Sequence, residues 1–209
     1  MYKNSIIEIE KYKNIYHLKV KKYADNAFLI DTFAEQIMSC KTALKNEEKK
    51  IDLIVSNVTC LEDLIKEKKI TLELLELLFI SLEQQLKLLE QTNHTISNFS
   101  PKHIFFFKSK ILNILTKFIF LNIDDVYKLS EDTLLIDKPF RIKKNMAPEF
   151  KKVKKIPNRT VTKTAAYWSL ASLIENMLNK NVDIRSTRLD WALKRCLIKE
   201  PEHRFLLLI

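Results

Sequence analysis

Two short polar stretches of the chain contain the side chains whose types and spacing could do chemistry. The first holds Asn98 and His103, and the second holds Asn122, followed closely by Asp124 and Asp125. A carboxylate binds hard cations such as Mg²⁺, and an imidazole accepts a proton near neutral pH. An amide is a poor ligand for such cations and is no base at that pH. The two acids are therefore candidate metal ligands, and His103 is a candidate base.

Neither metal centres nor the common nucleotide loops are indicated by the rest of the sequence. The histidines and cysteines lack metal-ligand spacing; they are His17, His94, His103, His203, Cys40, Cys60 and Cys196. The chain contains no Gly. It therefore lacks the glycine-rich loops in which backbone approaches phosphate without a Cβ in the way, and also the usual Ser nucleophile elbow. We expect no metal site and no cofactor.

Three landmarks follow one another in the second half of the chain. Ala147, Pro148 and Glu149 come first, Trp168 follows within Ala-Tyr-Trp-Ser-Leu-Ala, and Arg204 closes Cys-Leu-x-x-x-Pro-x-x-Arg. This order resembles the second half of the large lobe of protein kinases, with Ala-Pro-Glu, Trp-Ser-Leu-Gly and the same Cys-to-Arg ending. The resemblance implies a buried ion pair between Glu149 and Arg204. Leaving one charge of such a pair alone costs about 3–5 kcal/mol.

The first polar stretch is similar to the kinase catalytic loop, His-Arg-Asp-Leu-Lys-Pro-Glu-Asn-Ile. Pro101 and Ile104 match this pattern. Asn98 stands where the family has its catalytic Asp, His103 where it has the metal-binding Asn, and Asn122 where Asp-Phe-Gly has its Asp. Since all three polar positions differ from the family, the resemblance implies a degenerate kinase that has lost phosphotransfer.

Further positions bear on this interpretation. Ala166 replaces the Asp that tethers the kinase catalytic loop, and Ile96 replaces the His of His-Arg-Asp. If the register is shifted, Asp124 or Asp125 is the metal carboxylate and residual kinase activity is the alternative.

A lysine that contacts phosphate and its ion-pair partner are also implied by the resemblance. Lys19 or Lys21 is the candidate lysine, and Glu35 on a predicted helix is the candidate partner. The alternative for either lysine is a solvated position on an exposed strand. We name Lys21 with Glu35 as the candidate relic pair.

Hydrophobic periodicity predicts a mixed set of elements along the chain. The predicted strands cover residues 5–10, 15–23, 51–55, 111–115 and 117–121, the last two as a hairpin. The predicted helices cover residues 27–44, 61–68, 71–92 and 189–197, with further helix after residue 147. A leucine stripe supports the longest helix, and Thr71 is its expected N-cap. Residues 126–145 favour no firm element, and residues 179–186 are predicted to be a loop. Both Trp168 and Trp191 are expected in the core or at its edge.

Composition indicates a folded chain. Of 209 residues, 46% are hydrophobic and 30% charged, which supports a buried core rather than a disordered tail. No apolar run reaches the roughly 18 residues of a membrane span, and the N-terminus lacks the apolar region of a signal peptide. Three cysteines without a Cys-x-x-Cys pair favour reduced thiols in an intracellular protein.

A basic block lies between residues 138 and 163. Ten basic residues against the single acid Glu149 give this block a charge of +9, close to the net +10 of the whole chain. The candidate patch consists of Arg141, Lys143, Lys144, Lys151, Lys152, Lys154, Lys155 and Arg159. Such a block is either a solvated face or a surface for an acidic partner or nucleic acid. Aromatic residues for base stacking are few there, namely Phe140, Phe150 and Tyr167.

These observations together predict an α+β, protein kinase-like fold. The expected parts are a reduced N-terminal β lobe, residues 1–58, and a mostly helical C-terminal lobe, residues 59–209. The predicted function is that of a pseudokinase, a catalytically inactive kinase-like protein that binds proteins, acts as a scaffold or inhibits kinases. Such short, glycine-poor relatives resemble those of large DNA viruses. The alternatives are a residual Ser/Thr kinase and a nucleic-acid-binding protein on a kinase-derived fold.

Overall fold

A computed structural model of the chain describes residues 2–3, 7–12, 15–20, 41–45, 48–53, 55–109, 116–178 and 182–207. Its helices are α1 (Leu61–Lys66), α2 (Leu72–Gln91), α3 (Ala165–Glu175) and α4 (Arg188–Cys196). Its strands are β1 (Tyr2–Lys3), β2 (Ile7–Tyr12), β3 (Ile15–Val20), β4 (Lys41–Lys45), β5 (Glu48–Leu53), β6 (Val55–Cys60), β7 (His94–Ile96), β8 (Ile104–Ser109), β9 (Lys117–Phe120), β10 (Val126–Ser130) and β11 (Thr133–Leu134). Small sheets and helices together confirm the predicted α+β class.

Three antiparallel sheets contain these strands. The first has the order β1-β2-β3-β5-β4, the second β6-β8-β9 and the third β11-β10-β7. The predicted boundary between residues 58 and 59 falls inside β6, which pairs with β8. Strand β7 pairs with β10 and places Ile96 opposite Val126. This last pairing brings the two polar stretches of the sequence side by side.

The N-terminal predictions are partly correct. Strands β2 and β3 form the expected hairpin. Ile7 lies opposite Val20 at its open end, and Tyr12 lies opposite Ile15 at the turn. The helix predicted over residues 27–44 is wrong at its end, because residues 41–44 belong to β4, whose neighbour in the sheet is β5. Sheet pairing overrides helical periodicity there. Residues 27–40 of that prediction lie outside the described residues.

The centre of the chain also differs from expectation. Strand β9 pairs with β8, whereas the predicted partner, residues 111–115, lies outside the described residues. Residues 126–145, for which no element was predicted, contain β10 and β11. After residue 147 the chain forms the 3₁₀ turn Pro148–Lys152, and α3 begins at Ala165.

Helix α2 confirms the leucine stripe. The Thr71 hydroxyl accepts a hydrogen bond from the Leu74 amide at 3.3 Å, as expected of an N-cap. The buried side chains of α2 include Leu75, Leu78, Phe79, Leu82, Leu86 and Leu89. They belong to a core that also contains side chains of β2, β3, β8, β9, α3 and α4. Helix α2 is therefore the support on which the second sheet and the later helices pack.

A second, smaller core lies under the basic block. It contains Tyr127, Leu129, Leu134, Ile136, Met146, Ala147, Phe150, Val161 and Ala165. Tyr127, Leu129 and Leu134 of this core belong to β10 and β11, which were not predicted from the sequence. None of the helices in the described ranges has the length and apolar character needed to cross a membrane.

Candidate functional site

A cavity of about 630 Å³ brings together most of the polar residues singled out in the sequence. Asn98, His103 and Asp125 line it, together with Lys143. Asn98 comes two residues after β7, and His103 ends the 3₁₀ turn Pro101–His103 that leads into β8. Asp125 ends the 3₁₀ turn before β10. Since β7 and β10 are paired, the two stretches meet at one site.

Asp125 is the centre of the charge arrangement in this cavity. Its buried carboxylate forms an ion pair with the ammonium of Lys143. The Asn122 side-chain amide donates to Asp125 Oδ2 at 2.8 Å. Asn122 thus lies behind Asp125 rather than in the cavity lining, while Asp124 is exposed. The two acids that the sequence left as alternatives therefore have different environments, and Asp125 is the one that faces Asn98 and His103.

Backbone contacts fix the loop that carries Asn98. The Ser97 amide donates to the Asp125 carbonyl at 2.8 Å. The Phe99 amide donates to Ser169 Oγ at 2.8 Å, and Asn145 Nδ2 donates to the Phe99 carbonyl at 2.7 Å. Ala166 cannot make a polar contact to this loop, and the side chains of Ser169 and Asn145 hold it instead. Helix α3 anchors the loop through its buried Ser169.

His103 lies between two cavities. It lines the cavity with Asn98 and also a second one of about 610 Å³, bordered by β2, β3, β6 and α1. Burial lowers the pKa of His103 below its ordinary value of 6.5, and the neighbouring charges of Lys102 and Lys143 lower it further. Asp125 and Asp124 oppose this effect. The imidazole is consequently neutral near pH 7.

The geometry does not assemble a metal centre from these groups. Within the described ranges, no group of three or more His, Cys, Asp or Glu side chains is placed to hold a metal ion. The Asn98 side-chain oxygen is buried and accepts no hydrogen bond from the described part of the chain. Buried carbonyl oxygens usually have a hydrogen-bond donor, and the Asn98 oxygen is left able to accept one.

Glu149 and Arg204 form the predicted buried ion pair. Arg204 Nη1 lies 2.5 Å from Glu149 Oε1, and Nη2 lies 3.1 Å from Oε2. Arg204 also donates to the carbonyls of Ile198 and Lys199 at 2.7 and 2.9 Å. Its guanidinium carbon lies 4.9 Å from the centroid of the Trp168 ring. The residues matched to Ala-Pro-Glu, to the Trp-containing helix and to the final Arg therefore meet at one place.

The N-terminal lysine candidates are only partly described. Lys19 on β3 forms an ion pair with Glu10 on β2, with Nζ and Oε1 2.7 Å apart. Lys21 and Glu35, the candidate relic pair, lie outside the described residues. Their pairing therefore stays a prediction.

The basic block is not one uniform surface. Lys143 and Lys144 line the cavity with Asn98. The other cations of the predicted patch are exposed and take no part in that lining: Arg141, Lys151, Lys152, Lys154, Lys155 and Arg159. Trp168 packs against the edge of the smaller core, as predicted. Trp191 is 58% exposed, so the prediction of a core or core-edge position is wrong for this residue.

Sequence reasoning missed Lys143, Asn145 and Ser169 as parts of the site. A signal existed for Ser169, because a polar residue on the buried face of a predicted helix needs a partner. Nothing in the sequence marked Asn145 or distinguished Lys143 from its basic neighbours. No protein-family model matches the chain, and a search of curated proteins found no match. The function is therefore inferred from the residues and their geometry.

Proposed function

We propose that the chain is a pseudokinase, a protein kinase-like fold without phosphotransfer activity that acts by binding other proteins, as a scaffold or kinase inhibitor. The order of landmarks in the sequence supports the kinase ancestry. So does the buried Glu149–Arg204 pair, because it joins the two ends of the matched region. The meeting of Asn98, His103 and Asp125 at one cavity supports the matched catalytic loop.

The proposed loss of activity rests on the contacts that the Asp125 carboxylate already makes. Kinases need a carboxylate for Mg²⁺ and a carboxylate base for the substrate hydroxyl. Asp125 already binds Lys143 and Asn122. A magnesium ion would have to displace this ammonium, and Mg²⁺ requires near-ideal octahedral geometry. Asn98, at the position matched to the base, carries an amide that accepts no proton near neutral pH.

A thermal-shift assay with ATP, with and without Mg²⁺, tests this proposal. Saturating a site at a hundred times Kd stabilises the folded chain by about 2.7 kcal/mol, and each kcal/mol raises Tm by about 2–4 °C at this size. We expect no magnesium-dependent rise in Tm. A rise of several degrees that requires Mg²⁺ contradicts the proposal.

The alternative of a residual kinase has a specific observation in its favour, since Asp125 faces the cavity. Transfer of labelled phosphate from ATP to a general protein substrate distinguishes the two functions. We expect no transfer by the wild-type chain. If transfer occurs, is abolished by Asp125→Asn and survives in the matched control Asp124→Asn, whose side chain is exposed, the chain is an active kinase and the proposal is wrong.

A further inference from the structure

A small apolar groove lies on the surface of the basic block, outside the cavity described above. It has a volume of about 250 Å³ and is lined by Pro139, Phe140, Ile142, Phe150, Lys151, Val153, Lys154 and Ile156. Phe140 and Phe150 meet edge to face, with ring centroids 5.4 Å apart. Ile142 and Ile156, which both line the groove, are 49% and 42% exposed. The packed rings of Phe140 and Phe150 therefore form the floor of the groove, and the exposed side chains of Ile142 and Ile156 form its walls.

The charge around this groove is uncompensated. Lys151 and Lys154 line it, and Lys152 and Lys155 are exposed beside them in sequence. Within the described part of the chain, none of these four lysines forms an ion pair. Glu149, the single acid of the block, is buried against Arg204 and does not neutralise the surface. An apolar groove with a cationic rim complements a ligand with an apolar centre and an anionic rim.

We propose that this groove docks an acidic segment of a partner protein through one apolar side chain, with flanking carboxylates on Lys151 and Lys154. The volume is below the roughly 300–1,000 Å³ of small-molecule pockets, so it suits one side chain. The inference goes beyond the proposed pseudokinase function. It rests on the groove and its charge, and it holds whether or not the cavity binds nucleotide.

Nucleic acid fits the same surface less well. Base stacking needs an exposed aromatic face. Phe150 is buried, and Phe140 packs against it edge to face. Tyr167 is turned away, with its hydroxyl donating to Glu90 Oε1 at 2.9 Å. Exposed isoleucines contribute nothing to phosphate contacts, whereas an apolar anchor inside a polar rim is the usual anatomy of a protein–protein interface.

Fluorescence anisotropy with a labelled synthetic peptide tests the proposal. The probe carries one central Leu flanked on both sides by Asp and Glu, and a second probe has Ser in place of the Leu. We expect the Leu probe to bind about tenfold more tightly than the Ser probe, since one buried aliphatic side chain contributes about that ratio. The variant Ile142→Ser/Ile156→Ser should remove this preference. The variant Lys151→Glu/Lys154→Glu should weaken both probes by at least about tenfold.

Matched controls separate the groove from net charge. Lys128→Glu/Lys199→Glu reverses two exposed lysines that do not line the groove, and it should leave the affinity for the Leu probe within about twofold, because screening limits distant charges. Equal affinity for the Leu and Ser probes overturns the proposal. So does tighter binding to a single-stranded oligonucleotide of equal charge than to the Leu probe. A dimer in sedimentation that Ile142→Ser/Ile156→Ser dissociates also overturns it, because a second copy then occupies the groove.

Discussion

Arg204 does not line the cavity, yet it makes several polar contacts in the protein interior. Both of its terminal nitrogens bind Glu149, its guanidinium also binds two backbone carbonyls, and the ring of Trp168 packs against its face. A buried guanidinium is tolerated here because each of its three nitrogens donates to an acceptor and its charge is paired. At the residue scale, the pair therefore fixes the C-terminus of the chain to the 3₁₀ turn after Ala147.

Removing the charge of Glu149 tests how much this pair stabilises the fold. The variant Glu149→Gln leaves Arg204 charged and buried, so we expect the free energy of unfolding to fall by about 3–5 kcal/mol, measured by urea denaturation. The control is Glu76→Gln, which breaks the exposed pair between Glu76 and Arg188 and should cost far less. Equal losses in both variants would show that burial of the pair is unimportant. Glu149→Leu/Arg204→Met should recover part of the loss.

The environment of His103 predicts a pH dependence of stability. Burial keeps the folded-state pKa of His103 below 6.5. Between that lower pKa and 6.5, the unfolded chain binds a proton that the folded chain does not, so stability falls as the pH drops through this window and levels off below it. Unfolding free energies measured above and below pH 6.5 should show this decline, and His103→Gln should flatten it. The exposed His203 provides a control, since His203→Gln should leave the decline unchanged.

If the unfolding free energy of His103→Gln still declines as the pH falls below 6.5, groups other than His103 cause the decline. The neighbouring charges named above, Lys102, Lys143, Asp125 and Asp124, are kept in that variant. The comparison therefore isolates the imidazole itself.

Helix α2 does more than bury leucines. Among the strands that the structure describes, β9 is at the edge of its sheet. The helix supplies the hydrogen bonds that a further strand would make. Gln85 Nε2 donates to the Phe120 carbonyl at 2.8 Å, and Gln85 Oε1 accepts from the Phe120 amide at 2.9 Å. Ser81 Oγ accepts from the Phe118 amide at 3.2 Å. At the scale of elements, buried polar side chains of a helix close a sheet edge that would otherwise hold unpaired backbone groups.

Replacing Gln85 tests this arrangement. The variant Gln85→Leu leaves the amide and carbonyl of Phe120 buried without partners, and each such group costs about 1–3 kcal/mol. We expect a loss of unfolding free energy of that order and faster hydrogen exchange of the Phe120 amide. The adjacent Gln84 is exposed, so Gln84→Leu should change neither measurement appreciably. Unchanged exchange at Phe120 in Gln85→Leu would contradict the role assigned to this side chain.

The whole molecule combines two cores with an uneven charge. The larger core joins the N-terminal hairpin to the helices, and the smaller one supports the basic block from beneath. The block's single acid is directed inward. Lys143 and Lys144 line the cavity, whereas Lys151 and Lys154 line the outer groove. This division gives the chain two separate surfaces, and the tests of nucleotide binding and of peptide binding address them independently.

Elements with strong local signals could be predicted from the order of the amino acids. The leucine stripe and N-cap predicted α2, and alternation predicted the hairpin of β2 and β3. The Glu149–Arg204 pair was implied only by the resemblance that the three landmarks carry. Such features depend on neighbours in sequence or on a motif that is read directly. Residues 41–44, by contrast, have a helical pattern but lie in β4, because pairing with β5 decides their backbone.

The chemistry of the cavity depends on contacts that exist only in the folded chain. Asp124 and Asp125 are adjacent and alike in sequence, yet one is exposed and the other binds Lys143 and Asn122. Ser169 accepts a hydrogen bond from the Phe99 amide across 70 positions of the chain. Partners so distant in sequence are chosen by packing, and no local pattern specifies them.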